Sequence, residues 1–467
     1  MAVVVEEILL PASPAEFFAG LQNRPHAFFL DSGLAAGDLG AYSFIGCDPF
    51  LVFRARGRAL TLIRDGETTH YDGDPLTELQ TLLRRHAAPP SPNPPHLPFT
   101  GGAVGFFGYE LCTQLEKLPR TSPDDLPEIP DLEFAFHDGV IACERATRRA
   151  WLVANPVADT PAAAILARLR ALTQPPVFPA GGEAAPSIDR SAEKSEPVAN
   201  FDFERYAAAI ARIKAYIAAG DVYQVNLTQR FSSPLPCEPY ALYERLRARS
   251  PAPFAAYLNH GAVRIASSSP ERFLRIRGRD VETRPIKGTR RRASESAADE
   301  ALARELLASA KDRAELLMIV DLERNDLGRV CEFGSVRVDD LWRLESHPTV
   351  HHLVANVAGT LRPECDAIDC LRATFPGGSI TGAPKIRAME IIDELEPHRR
   401  HIYTGAIGYL GFDGDCDLNI AIRTITCVNH RAYYHVGGGI VWDSDAAAEY
   451  QETLDKGRAM HDALTTP

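Results

Sequence analysis

Two residues of opposite charge stand sixteen positions apart in the second half of this chain. Glu271 lies in Ser267-Ser268-Ser269-Pro270-Glu271-Arg272-Phe273, and Lys287 lies in Pro285-Ile286-Lys287-Gly288-Thr289. The apolar runs between them, 273–276 and 280–283, predict a hairpin that turns at Gly278 and returns Lys287 towards Glu271. A lysine beside a carboxyl group is a nucleophile once burial or other cations lower its pKa, and the protonated carboxyl can give a proton to a leaving group. The same spacing also describes a surface ion pair at a hairpin end. Near the C-terminus Glu449, Glu452 and Lys456 fall at i, i+3 and i+7, one face of a helix. With Glu315 from an earlier helix, these carboxylates suit a hard divalent cation such as Mg²⁺, although helical charges so spaced also form solvated stripes. Arg423 alternates with apolar neighbours and shares a predicted strand face with Ala421, Ile425 and Cys427. A cation on such a face needs an anion, supplied by the protein or by a substrate. Gly437-Gly438-Gly439 reads as a turn, either offering amides to a carboxylate or simply a tight corner.

The elements that must position these groups are legible in part. Phe203, Tyr206, Ile210, Ile213 and Ile217 form one apolar stripe that stops at Gly220, predicting a helix. Residues 295–320 predict one long helix closed by 325–328, and Pro384 opens another with Ile386, Met389 and 392–395 on its buried side. Residues 418–428 and 431–436 alternate like neighbouring strands, and 445–464 predict a final helix. Earlier, 59–63 and 139–143 read as strands. Residues 174–200, rich in Pro, Gly, Ala and Ser, read as a loop or linker between a region 1–173 and a region 201–467, and 89–98 reads as a connector. Strands and helices mix without a βαβ rhythm, so the expected class is α+β.

Several other motifs fail on inspection. Gly377-Gly378-Ser379-Ile380-Thr381-Gly382 has phosphate-loop spacing, but Ala383-Pro384 replaces the required Lys-Ser/Thr. Gly405, Gly408 and Gly411 do not make the dinucleotide fingerprint, and His347, His351 and His352 lack the partners of a zinc site. The chain has 467 residues, 45% hydrophobic and 24% charged, enough for a substantial core. Its net charge of −12 argues against nucleic acid or an anionic membrane as a general partner. It also means that an anionic substrate would need local cations or a metal. Nine cysteines without a Cys-x-x-Cys pair fit reduced core thiols in the cytoplasm. Neither a signal peptide nor an apolar run of about 18 residues is apparent.

Taken together, the segments resemble the chorismate-utilising enzymes, a family that includes component I of anthranilate synthase and of aminodeoxychorismate synthase and the isochorismate synthases. The matching blocks are Ser269-Pro270-Glu271-Arg272-Phe273, Pro285-Ile286-Lys287-Gly288-Thr289-Arg290, Asp312-Arg313-Ala314-Glu315, Val320-Asp321-Leu322 with Arg324-Asn325-Asp326, and His351-His352-Leu353-Val354. They continue through Phe375-Pro376-Gly377-Gly378-Ser379, Gly405-Ala406-Ile407-Gly408-Tyr409 and Glu449 to Lys456, with thinner traces at Leu30-Asp31-Ser32-Gly33 and Phe99-Thr100-Gly101-Gly102. The resemblance implies an anthranilate synthase component I-like fold, with β-sheets packed as a sandwich and surrounded by helices.

Anthranilate synthases carry Ala in the Pro-Ile-x-Gly-Thr block and aminodeoxychorismate synthases carry Lys, so Lys287 implies the latter branch and amination of chorismate on the route to 4-aminobenzoate and folate. By the same resemblance, Mg²⁺ held by Glu315 and Glu449, with Glu452 direct or through water, would bind the ring carboxylate. Arg423, Tyr409 and the amides of Gly438 and Gly439 would hold the enolpyruvyl carboxylate. Lys287 would be the covalent nucleophile and Glu271 the acid, while Gly288, Thr289, His352, Ser379 and Lys456 would line the site. Ser32, Tyr42, Pro253, Phe254 and Ala255 match positions of a tryptophan pocket, although Asp31-Ser32-Gly33 departs from the usual lead-in and Ala41 stands where Arg is common. No glutaminase nucleophile turn is visible, so a separate glutamine amidotransferase subunit is the expected source of ammonia, and a separate lyase would remove pyruvate. The competing expectations are an anthranilate synthase component I, less readily an isochorismate synthase, and a non-catalytic tryptophan-binding regulator.

Overall fold

Strand sequences in this chain alternate between two apolar environments, which is what a strand buried on both faces requires. In Gly139–Glu144, Val140 and Ala142 enter one hydrophobic cluster while Ile141 and Cys143 enter another. In Gly102–Phe107, Val104 and Phe106 share the first of these clusters, whereas Ala103 and Phe107 face a third. The shared cluster is the filling of a sandwich. The computed structural model, which describes residues 2–34, 39–89, 97–119, 121–174, 195–347 and 350–466, shows two 12-stranded antiparallel sheets among those residues. Helices cover both outer faces. Phe18, Leu166, Leu246 and Met460 pack on the first sheet, and Leu79, Leu316, Ile368 and Met389 on the second. The α+β class and the helix-wrapped sandwich are as expected.

The 1–173 and 201–467 regions are not separate bodies. The first sheet runs from Val4–Ile8, Ala150–Ala154, Gly139–Glu144, Tyr42–Gly46 and Phe28–Asp31 directly into Phe254–His260, and the second joins Gly102–Phe107 to Ala406–Gly411. The expected loop at 174–200 lies outside the described residues at 175–194, and its end is a short strand, Val198–Ala199, paired with Gln224–Pro234. Most of the 89–98 connector is likewise outside the described residues.

Two expectations fail for local reasons. The single helix over 295–320 is two, Ser296–Ala308 and Ala310–Gly328, because the Ser309 hydroxyl accepts from the Asp312 amide and caps the second. The strand over 418–428 is also two, Cys416–Ile420 in the second sheet and Thr424–Val428 in the first, with residues 421–423 crossing between them. Arg423, at φ +49, sits at that crossing and not on a strand face. The predicted helices at Phe203–Ala219, Lys385–Leu395 and Ala446–Thr465 are present, as is the Arg272–Arg277 and Asp280–Arg284 hairpin.

Candidate active site

The chain changes sheets twice at the same place, and both crossings carry a charged side chain. Val263–Ser269 belongs to the first sheet and Arg272–Arg277 to the second, with Glu271 between them. The other crossing carries Arg423. Backbone bonds lock the two together: the Ile420 amide donates to the Glu271 carbonyl at 3.0 Å and the Ser268 amide to the Arg423 carbonyl at 3.0 Å. The Ser269 hydroxyl adds a bond to the Ile420 carbonyl at 2.6 Å. Such a junction takes two charges out of water on rigid backbone.

Glu271 is 5% exposed, and burial pushes its carboxyl up to about 7. The neighbouring Ser379 hydroxyl and the Lys287 ammonium oppose that rise, and the Ile286 amide donates to Oε1 at 3.4 Å. The hairpin thus brings Lys287 and Glu271 into one electrostatic environment, as the spacing suggested. Lys287 lies on Ile286–Arg291, which pairs with Val350–Thr360 through a register shift between Lys287 and Thr289. Gly288 makes that bulge at φ +77, and a Cβ there would meet Leu306 Cδ1 at 2.8 Å. Burial lowers the Lys287 pKa. Glu315 opposes this most and Lys456 reinforces it. Thr289 Oγ1 meets His352 Nδ1 at 3.0 Å, and burial, with Arg423 nearby, holds the His352 ring well below the usual range and therefore neutral. Burial also lowers the Arg423 pKa, with Glu271 the charge that opposes it. A buried guanidinium so placed favours an incoming anion.

Opposite these groups stands the carboxylate set. Glu449 and Glu452 project from Ala446–Thr465 and Glu315 from Ala310–Gly328. Burial raises the pKa of both Glu315 and Glu449, each further raised by neighbouring carboxylates, and one buried oxygen of Glu315 has no hydrogen-bond partner. Ser444 fixes Glu449 by donating to Oε1 at 2.7 Å. Glu452 is half-exposed and paired with Lys456 at 2.7 Å. Two carboxylates whose charged forms burial disfavours, one of them with an orphan oxygen, fit a hard divalent cation, with Glu452 in a supporting position.

Gly437-Gly438-Gly439 is not a turn. All three lie inside Arg431–Ile440, paired with Asn226, Leu227 and Thr228 of the neighbouring strand. Their absent side chains make room on alternate faces. A Cβ on Gly438 would lie 3.2 Å from Glu449 Oε2 and 3.7 Å from Lys456 Nζ, whereas one on Gly439 would strike Gln224 at 2.7 Å. Gly438 therefore faces the carboxylates and Gly439 turns away.

Tyr409 is also elsewhere. Its ring belongs to the sandwich interior, stacked on Phe99 at 4.4 Å, and its hydroxyl accepts from Arg277 at 2.7 Å and donates to the Pro98 carbonyl at 3.1 Å. Alternation along Ala406–Gly411 explains this, since residues 407 and 409 point inward. Tyr409 lines a second cavity of about 290 Å³ together with Ser32, Tyr42, Pro253, Phe254 and Ala255, the five residues matched to a tryptophan pocket. Asp31, also on its wall, has its carboxylate engaged by Arg247 and the Tyr243 hydroxyl. Two residues of the first site escaped sequence reasoning. Lys311, 3.8 Å from Glu315, was visible as a helical i, i+4 pair, while Ser444 left no signal in the sequence.

A family model described as chorismate binding enzyme matches residues 35–462. The chain belongs to this family. Within it, the chain is 43% identical over 453 residues to aminodeoxychorismate synthase component 1 of Klebsiella aerogenes, covering 97% of this chain and 96% of that one. It is 41% identical over 461 residues to anthranilate synthase component 1 of Streptomyces coelicolor, covering 97% and 86%. The solved anthranilate synthase component I of Streptococcus pneumoniae superimposes with a TM-score of 0.75 at 32% identity, covering 92% and 93%. This member is thus a chorismate-utilising enzyme. Among its described residues no helix is long and apolar enough to cross a membrane.

Proposed function

We propose that the protein makes 4-amino-4-deoxychorismate from chorismate and ammonia, with Lys287 as covalent nucleophile. The observation that carries this reading is a lysine whose charged form is disfavoured by burial, within electrostatic reach of a carboxyl group that burial keeps protonated to about pH 7. Those are the two protonation states that the chemistry needs. Neutral Lys287 Nζ attacks ring C2, both ring double bonds shift by one position, and the C4–O bond breaks as Glu271 gives its proton to the departing hydroxyl, releasing water. Ammonia then attacks C4, both double bonds shift back, and the C2–N bond breaks, freeing the lysine. Two such displacements leave the amine para to the ring carboxylate, where direct attack at C2 would leave it ortho.

Chorismate is a dianion and the chain is acidic, so its charge must be met locally. Mg²⁺ held by Glu315 and Glu449, with Glu452 beside it, supplies an electrostatic anchor for the ring carboxylate. Arg423, the half-buried cation at the sheet crossing, would receive the enolpyruvyl carboxylate. Lys456, His352, Thr289 and Ser379 orient the remainder. The designation of the relatives as component 1 supports a second component, and we assign it the role of a glutamine amidotransferase that delivers ammonia. The 290 Å³ cavity has aromatic and proline walls, polar groups at Asp417 and Asn419, and room for an indole amino acid, which supports tryptophan as its ligand.

Anthranilate synthesis is the reading to be separated, since that relative is almost as similar. With chorismate, Mg²⁺ and an ammonium salt, the wild type is expected to yield a product that a lyase converts to 4-aminobenzoate, with no anthranilate. Lys287→Ala is expected to lose para-amination by about three orders of magnitude or more, in keeping with removal of a nucleophile. Normal para-amination in that variant would refute the covalent role. Anthranilate from the wild type would refute the assignment itself.

A further inference from the structure

Away from the substrate site, the sandwich interior takes in a group of polar side chains that the chorismate chemistry does not use. Glu133 stands on the inner face of Leu132–His137, whose residues 132, 134 and 136 all face the outer core of the second sheet. Its side chain is 1% exposed. His260, also buried, closes Phe254–His260 in the first sheet and packs edge-on to Phe106 at 5.3 Å. His26 lies just before Phe28–Asp31, a strand of that same sheet. Glu133 Oε1 is 3.0 Å from His260 Nδ1 and 3.5 Å from His26 Nδ1, and the three atoms lie within 4.8 Å of one another.

The arrangement has features that a plain buried ion pair does not need. Arg54 Nε takes the other carboxylate oxygen at 2.7 Å, which orients Glu133 and leaves Oε1 alone for the two imidazoles. His26 Nδ1 is buried and has no hydrogen-bond partner, a costly state for a polar atom. His26 also holds φ +46, a left-handed conformation disfavoured in a residue other than glycine. The distances match a tetrahedral site: metal–ligand bonds of about 2.0–2.2 Å put neighbouring ligand atoms about 3.3 Å apart, and the two measured edges fall on either side of that value. His26, on a loop and 16% exposed, is the ligand free to adjust.

We propose that His26, Glu133 and His260 form a binding site for a divalent transition-metal ion of the zinc type, which ties the first sheet to the second. Two imidazole nitrogens and a single oxygen of a carboxylate whose other oxygen is held by Arg54 select such an ion over Mg²⁺, which prefers a shell of oxygens. The site therefore differs in chemistry from the Glu315 and Glu449 set. His26, the least buried of the three, marks the route of entry, and a water would complete the fourth position.

The test uses the full chain, stripped of metal and then titrated with Zn²⁺ in a large excess of Mg²⁺, so that the catalytic carboxylates are already engaged. The wild type is expected to bind one equivalent of Zn²⁺ that His26→Asn and His260→Gln do not bind, and Zn²⁺ is expected to raise Tm by several degrees in the wild type alone. Asparagine tolerates the left-handed backbone at position 26, so that variant retains the local conformation. If His260→Gln fails to fold, His26→Asn decides. Co²⁺ in place of Zn²⁺ is expected to give the visible absorption of a tetrahedral site, absent from His26→Asn. An unchanged zinc stoichiometry in His26→Asn, or no zinc bound by the wild type, would overturn the proposal.

Discussion

Glu271 and Lys287 draw opposite consequences from the same burial. For the acid, burial favours the proton; for the amine, it removes the proton. Turnover needs protonated Glu271 and neutral Lys287 together, so kcat/KM should follow a bell. One of its bends lies near pH 7 and belongs to Glu271, and the other belongs to Lys287. The same shift has a stability sign. A carboxyl whose pKa rises from 4.5 to about 7 on folding contributes fully below 4.5, and that contribution is lost as pH climbs to about 7. Above that pH the fold carries a buried charge that costs roughly 3 kcal/mol. Glu271→Gln, isosteric and never charged, should therefore be inactive yet more stable than the wild type at pH 8, with the gap closing near pH 5. Thermal melts at the two pH values decide this, and equal gaps would mean that Glu271 is not held in its neutral form. What the sequence could show at this scale was pairing, since the hairpin length alone returns Lys287 to Glu271. It could not show that the chain crosses between sheets at Arg423, because alternation looks the same whether a strand continues in one sheet or passes to another.

Single strands and helices set which atoms reach the site, and the glycine run shows how. Arg431–Ile440 brings Gly438 under the C-terminal helix, where Glu449, Glu452 and Lys456 descend on one face at the spacing legible in the sequence. The run read as a turn because three consecutive glycines are rarely anything else, but here their lack of side chains opens one strand face to a helix. Gly438 needs no left-handed backbone, so the site, not the fold, should feel a methyl group there. Gly438→Ala is expected to keep Tm within about 1–2 °C of the wild type. The new Cβ would press on Glu449 Oε2 at 3.2 Å, and KM for Mg²⁺ and chorismate should rise by about tenfold or more. Titrating activity with Mg²⁺ at saturating chorismate separates the outcomes. An unchanged Mg²⁺ requirement would show that the carboxylates do not close on the metal across this strand. The break at Ser309 was missed for a related reason: apolar periodicity continues through it, and only the capping bond from the Ser309 side chain marks where one helix ends and the next begins.

At the scale of the molecule, the two regions that composition separates turn out to be interleaved in both sheets, because long-range pairing leaves no local trace in a single sequence. This interleaving places the second cavity against the active site. Arg272, the residue after Glu271, lines the cavity, lies over the Phe254 ring at 5.1 Å and is clamped by Asp417 at 3.0 Å and Glu282 at 2.6 Å. Asn419 lines it too and donates to the Phe254 carbonyl at 3.0 Å, while the next residue, Ile420, holds the Glu271 carbonyl. A ligand that moves Phe254 therefore pulls on both strands of the sheet crossing, and a shift there changes the aim of Glu271 and the setting of Arg423. Tryptophan is expected to weaken chorismate binding by a factor within the usual 5–150-fold range of allosteric coupling. Because coupling is reciprocal, saturating chorismate should weaken tryptophan binding by the same factor. Phe254→Ala should abolish the effect while keeping basal turnover, since the ring touches the cavity and not the substrate. Calorimetric titration of tryptophan with and without chorismate and Mg²⁺ measures both directions, and equal affinities in the two titrations would show that the cavity binds without regulating.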